Sequence, residues 1–122
     1  MSNNKAVENR QYKRWDIFEY ALVYKEGDQS PEPAIIVDLS LGGMQARSRR
    51  QYEAGEVCLI SITDDENEQI TTHAEVRYSY PLQGTDLHST GLRFMPGSVE
   101  QRVALVNYIH QRFRDDIESI AI

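Results

Sequence analysis

Residues 34–48 read Ala34-Ile35-Ile36-Val37-Asp38-Leu39-Ser40-Leu41-Gly42-Gly43-Met44-Gln45-Ala46-Arg47-Ser48. A short β-branched run stops at Asp38, a glycine pair follows, and then Met44, Ala46 and Ser48 alternate with Gln45 and Arg47. Alternation of period two marks a strand with two unlike faces, while Asp, Ser and Gly turn a chain between strands. The stretch is a strand, a turn and a second strand. Asp38 and Ser40 can cap backbone N–H groups of the turn, and glycine reaches positive φ without steric cost.

The pattern recurs on both sides. From Ile17 to Tyr24, Phe18, Tyr20, Leu22 and Tyr24 share one strand face, with Ile17, Ala21 and Val23 on the other. Gly27 to Pro33 is a loop rich in turn formers. Glu56 to Ile62 is a further strand, closed by an acidic turn around Asp64 to Glu68. Gln69 to Tyr80 alternates again, with Ala74, Val76 and Tyr78 expected on one face, and Pro81 to Gly84 breaks it. Leu87 to Met95 supplies a final strand. Short strands at this spacing, with turns between, predict an antiparallel barrel or sandwich.

Pro96-Gly97 ends the sheet, and Ser98 with Gln101 forms a capping-box signature that starts a helix at about residue 98. Val99, Val103, Val106, Phe113 and Ile117 recur at helical spacing, with Leu105 and Ile109 widening the stripe. Such a stripe is expected to pack on the domain's own sheet.

Composition narrows the function. The 122 residues suit one domain, and 40% apolar residues can fill one core. A net charge of -6 argues against general nucleic-acid binding, although a local basic site is compatible with it. Lys5, Arg10, Lys13 and Arg14 lie in a polar opening arm, residues 1–14, and Arg47, Arg49 and Arg50 follow the glycine pair. Cys58 is the only cysteine, which excludes an intrachain disulfide and suits a reducing compartment. Neither a signal-peptide core nor an apolar run approaching ~20 residues is present, so a cytoplasmic protein without membrane insertion is expected. His73, His88 and His110 lack metal-ligand spacing, and no nucleophile elbow, P-loop or Rossmann fingerprint occurs. Neither a metal nor an enzymatic role is expected.

Arg10-Gln11-Tyr12-Lys13-Arg14 sets two arginines four apart just before the first strand. A guanidinium fork grips phosphate oxygens in pairs and matches the O6 and N7 acceptors of guanine. In the bend, Asp38 can accept guanine N–H donors, Ser40 can donate to a phosphate or base, and Gly43 can admit a ligand close to the backbone.

Arg-x-x-x-Arg ahead of the first strand, then Asp-x-Ser-x-x-Gly after the next, resembles the PilZ domain family of cyclic di-GMP receptors. Gly91-Leu92-Arg93-Phe94 matches the family's later Gly-x-x-Phe strand. The resemblance runs from about Arg10 to Phe94, with no motif position substituted. It implies a six-stranded antiparallel β-barrel over residues 15–122 with an appended helix, and cyclic di-GMP as ligand, without a further cofactor. Arg10 and Arg14 would hold guanine edges and phosphates, the arm closing over the ligand, while Asp38, Ser40 and Gly43 line its other side. Arg77 and Tyr78 are candidates, by position, for a basic or aromatic side chain near the bases. Trp15 is placed to pack where the arm enters the barrel or to stack on a guanine. Asn9 stands where members that bind a stacked ligand pair often carry another arginine, which leaves stoichiometry open. A downstream protein partner in motility, exopolysaccharide or biofilm control is implied. The alternative is the same barrel used as a protein-interaction module with no nucleotide.

Overall fold

The computed structural model describes residues 15–63 and 67–121. The arm with Arg10 and Arg14, and the turn residues Asp64, Asp65 and Glu66, lie outside the described residues, as do the side chains of Trp15, Ile17, Phe18, Phe113 and Ile117.

Six strands form in the alternating segments: β1 (Trp15–Lys25), β2 (Glu32–Leu39), β3 (Gly43–Ser48), β4 (Val57–Thr63), β5 (Gln69–Pro81) and β6 (His88–Phe94). They close into a barrel in the order β1-β2-β3-β6-β5-β4, every pairing antiparallel. Pairing of β1 with β4 seals the ring, so no strand is left with an unpaired edge. Ala21, Ala34, Ala46 and Ala74 share the interior with Ile36, Leu39, Met44, Ile60 and Ile62. Small and large side chains in mixture are what a narrow six-stranded lumen can hold. In β1 the inward face carries Ala21 and Val23, and Tyr20, 77% exposed, stands outside.

Three strands break the simple alternation, β1 between Asp16 and Glu19 and two others beside the site. The register shifts between Ile36 and Asp38 in β2, and again between Val76 and Tyr78 in β5. A bulge inserts one residue and reverses the face of those that follow. Ile36 and Val76 are therefore buried, whereas Tyr78, two residues beyond Val76, is 43% exposed. The expectation that Ala74, Val76 and Tyr78 share a face fails at this bulge, because Arg77 is the inserted residue.

Each end of the barrel is plugged. At one, Tyr52 is buried, its N–H donating to Ser79 Oγ at 3.1 Å, with the Arg50 guanidinium 5.3 Å from its ring centre. Arg50 also bridges to Asp28 at 2.8 Å, and Lys25 to Glu56 at 2.8 Å. The Arg50 hydrogen bond, helped by the Lys25 N–H, holds the Asp28 carboxyl below the usual carboxylate range. A carboxyl depressed in the folded state stabilises the fold above its ordinary pKa, and that contribution is lost as acid protonates it. Removing the pair with Asp28→Asn should therefore flatten the acid limb of a stability-versus-pH curve. Denaturant melts from neutral to low pH measure this.

The other end is closed by helix α1 (Val99–Ala121). Ser98 Oγ accepts the Gln101 N–H at 3.1 Å, the first half of the expected capping box. The Gln101 carboxamide oxygen reaches past the cap and accepts the N–H of Gly97 at 2.8 Å and of His73 at 3.2 Å. This anchor to β5 decides which side of the helix faces the barrel. Leu105, Tyr108 and Ile109 are buried, Ala104 packs beside them, and Tyr108 and Arg112 both reach Glu19 of β1. Val99 and Val103 of the expected stripe lie elsewhere, 74% and 51% exposed. Among the described residues, the row continuing from Gln101 meets the barrel, whereas Val99 and Val103 of the other row face away from it.

Candidate ligand-binding face

The Asp38-to-Gly43 bend is held by its own groups. Ser40 N–H donates to the Gly43 carbonyl at 2.9 Å, Ser40 Oγ donates to the same oxygen at 3.3 Å, and Gly42 N–H donates to Ser40 Oγ at 3.2 Å. Ser40 is only 1% exposed. The bend is tied to β6 as well: Phe94 N–H donates to the Gly42 carbonyl at 3.0 Å. The two glycine-bearing motifs of the sequence thus meet in space. Positive φ occurs at Gly27, Gly55 and Gly84, not within the bend, so conformational freedom is not what the glycines supply. A Cβ on Gly43 would instead overlap the Leu92 carbonyl oxygen. Close approach of β3 to β6 is the reason for glycine there.

Beside the bend, cross-strand partners form one continuous row around the outside of the barrel. Asp38 of β2 pairs with Gln45 of β3, Gln45 with Gly91 of β6, and Gly91 with Tyr78 of β5. Three steps between neighbouring strands make this row about 14 Å long. Gln45 points outward because Met44 and Ala46 are buried, and the two bulges bring Asp38 and Tyr78 to the same side. Gly91 has no side chain to fill its place, and a Cβ would collide with the Tyr78 ring. The ring lies across Gly91 and stacks on Tyr80, centroids 5.7 Å apart at 21°.

Flanking rows add charge and polarity. Arg93, opposite Gly43, donates to Glu75 at 2.9 Å. Arg47 pairs across the ladder with Ser89 and is exposed, without an ion-pair partner among the described residues. Gln45 Nε2 donates to Ser89 Oγ at 2.8 Å, which orients its carboxamide. Arg77 is exposed at the bulge itself. The face therefore combines cations, a carboxylate, a carboxamide and stacked aromatic rings, groups suited to a planar, polar, anionic ligand.

Of the residues singled out from the sequence, Asp38 and Tyr78 stand in the row, Ser40 and Gly43 form its adjoining bend, and Arg77 borders it. Arg10 and Arg14 lie outside the described residues. Arg14 is nonetheless bonded to Trp15, whose backbone pairs with Leu39, so β1 begins alongside the bend. Sequence reasoning passed over Gln45 and Tyr80, and noted Arg47 only among the basic residues that follow the glycine pair. Their outward alternation within β3 and β5 was readable, but which strands would adjoin was not.

No curated protein matches the chain. The sequence profile of the PilZ domain matches residues 8–111, most of its length. The chain belongs to the PilZ domain family. Solved PilZ proteins are similar to it in fold. The PilZ domain of YcgR from Escherichia coli, solved with c-di-GMP, aligns with a TM-score of 0.69 at 20% identity, covering 93% of this chain and 98% of that one. The Bacillus subtilis inhibitor of motility MotI/DgrA aligns with a TM-score of 0.66 at 20% identity, covering 88% of this chain and 52% of its own. The K. pneumonia MrkH–c-di-GMP complex gives 0.71 at 13% identity, covering 93% of this chain and 53% of that one. This PilZ chain thus spans about half the length of MotI and MrkH, and nearly all of the isolated YcgR domain. The six-stranded closed barrel with a C-terminal helix, implied by the motifs, is the observed architecture. Among the described residues no helix is long and apolar enough to cross a membrane, and no group of three His, Cys, Asp or Glu side chains is placed to hold a metal.

Proposed function

We propose that this PilZ domain is a receptor for cyclic di-GMP, which lies on the outer face along Asp38, Gln45, Gly91 and Tyr78. The observation that carries the proposal is that row's position beside the start of β1, to which the arginine motif is joined. The ligand has two phosphates and two guanine edges. Arg10 and Arg14 grip phosphates and the O6/N7 acceptors, Asp38 accepts guanine N–H donors, and Tyr78 offers a ring face to a base. Ser40 keeps the bend in shape so that Asp38 stays on the rim. Arg77 and Arg47 add positive potential at the edges of the face.

Ligand binding orders the arm over the barrel, at roughly 1–2 kcal/mol per residue fixed, offset by charge-assisted hydrogen bonds. The covered face and the ordered arm together present a new surface to a protein partner in motility, exopolysaccharide or biofilm control. No bond of the ligand is made or broken in this role, and the protein works in the cytoplasm.

Isothermal titration with cyclic di-GMP tests the site. Arg10→Ala and Arg14→Ala are each expected to fold normally and to bind about ten- to a hundredfold less tightly, a loss of roughly 1–3 kcal/mol. Unchanged affinity in both variants removes the arginine assignment. A flat titration of the unaltered protein at low salt favours the interaction module without nucleotide.

A further inference from the structure

Gln45 stands in the middle of the outer row with one end of its carboxamide tied and the other open. Its Nε2 donates to Ser89 Oγ at 2.8 Å, and Ser89, on β6, is only 1% exposed. A carboxamide is planar, with nitrogen and oxygen at opposite corners, so tying the nitrogen to β6 turns Oε1 away from that strand. Because β3 lies between β2 and β6, the oxygen is turned toward Asp38, the partner of Gln45 on β2. Gln45 is half-buried, and its Oε1 meets no donor among the described residues. Side chains at opposed positions of neighbouring strands stand about 5 Å apart. The row thus sets an amide oxygen beside a carboxylate, and both are acceptors.

We infer that Gln45 determines base specificity: its Oε1 accepts one N–H of the 2-amino group of a guanine, while Asp38 takes the other together with N1–H. This rests on the reading of the face as a cyclic di-GMP site and deepens it. The two hydrogens of one amine diverge by about 120°, so acceptors at ordinary hydrogen-bond length from its nitrogen stand about 5 Å apart. Opposed side chains have that same spacing. Arginine forks read O6 and N7, which guanine shares with hypoxanthine, so they cannot sense the amine. Hypoxanthine also keeps N1–H, which leaves Asp38 partly satisfied. Gln45 alone is then left with nothing to accept, and a half-buried acceptor without a donor costs binding energy. Adenine fares worse, since its N1 lone pair faces the carboxylate and position 2 carries only C–H. Ser89 is a positioning residue, acting through Gln45 by keeping the oxygen turned toward β2.

Calorimetric titration of the full chain with cyclic di-GMP and with cyclic di-IMP, its analogue lacking the amine, tests this. Gln45→Met keeps the length of the side chain and removes the acceptor. It is expected to weaken cyclic di-GMP binding about three- to tenfold and to change cyclic di-IMP binding by less than about twofold. The cycle of two ligands and two proteins isolates the contact between Gln45 and the amine. Gln45→Glu keeps an acceptor, so its preference for the amine should stay within about twofold of the unaltered protein, whatever a second carboxylate does to absolute affinity. Ser89→Ala should lower the preference, though less than Gln45→Met does. Equal losses of both ligands in Gln45→Met, with circular dichroism unchanged, would give Gln45 a general role in the face and overturn the inference. So would a preference that Gln45→Met leaves intact. A preference untouched by Ser89→Ala overturns the positioning role of Ser89. An unaltered protein that binds neither ligand refutes the cyclic di-GMP site itself, an outcome distinct from all of these.

Discussion

Gly43→Ala is expected to lose about 3 kcal/mol or more of folding stability, the upper end of the range for forcing atoms into a close-packed site. The new methyl group would meet the Leu92 carbonyl oxygen, a backbone atom held in the β3–β6 ladder. Neither partner can rotate away. Relief requires the two strands to part, and with them the Phe94-to-Gly42 hydrogen bond that ties the bend to β6. Urea denaturation measures the loss, and a midpoint equal to that of the unaltered protein would contradict the account. Gly91→Ala is the natural control. The atoms nearest its methyl group all belong to the Tyr78 side chain, whose ring can swing outward, so stability should change by no more than about 1 kcal/mol. The displaced ring should nevertheless weaken cyclic di-GMP binding if Tyr78 stacks on a base. One glycine serves the fold, the other the face.

Ile109→Ala should cost about 2–5 kcal/mol, the usual loss when a fully buried isoleucine is truncated and its cavity cannot collapse. Ile109 is 1% exposed, lodged in the end of the barrel with Leu105 and Tyr108. Val103→Ala, one to two turns away on the other side of α1, should change stability by less than about 0.5 kcal/mol at low protein concentration. Thermal or urea melts of both variants decide the matter. Equal losses would mean that the helix packs through the valine row, as a reading of spacing alone suggests. The contrast matters for function because the helix closes the same end of the barrel as the Asp38 bend. Loosening it would free Phe94 and, through the Gly42 carbonyl, the bend itself.

Both variants expose the same lesson about legibility. The helix could be placed to within a residue from Pro96-Gly97, Ser98 and Gln101, since these act on their immediate neighbours. Its orientation could not, because two apolar rows at helical spacing are equivalent until a distant acceptor selects one. Here the selection comes from the His73 N–H on Gln101 and from Glu19 on Tyr108 and Arg112. Glu19 and Tyr108 are 89 positions apart in the chain, beyond any local pattern.

Local chemistry by itself determined the strands, the turns and the identity of the family. Backbone preference and alternation act over a few residues, and the three motifs stand at spacings that need no folding to be read. Only the closed barrel decided what those motifs form. It drew Asp38, Gln45, Gly91 and Tyr78, from four strands, into one row, and it used two bulges to turn Asp38 and Tyr78 outward against their alternation. Strand adjacency and bulge position arise from the ring's closure, a property of all six strands together, and so no single segment encodes them.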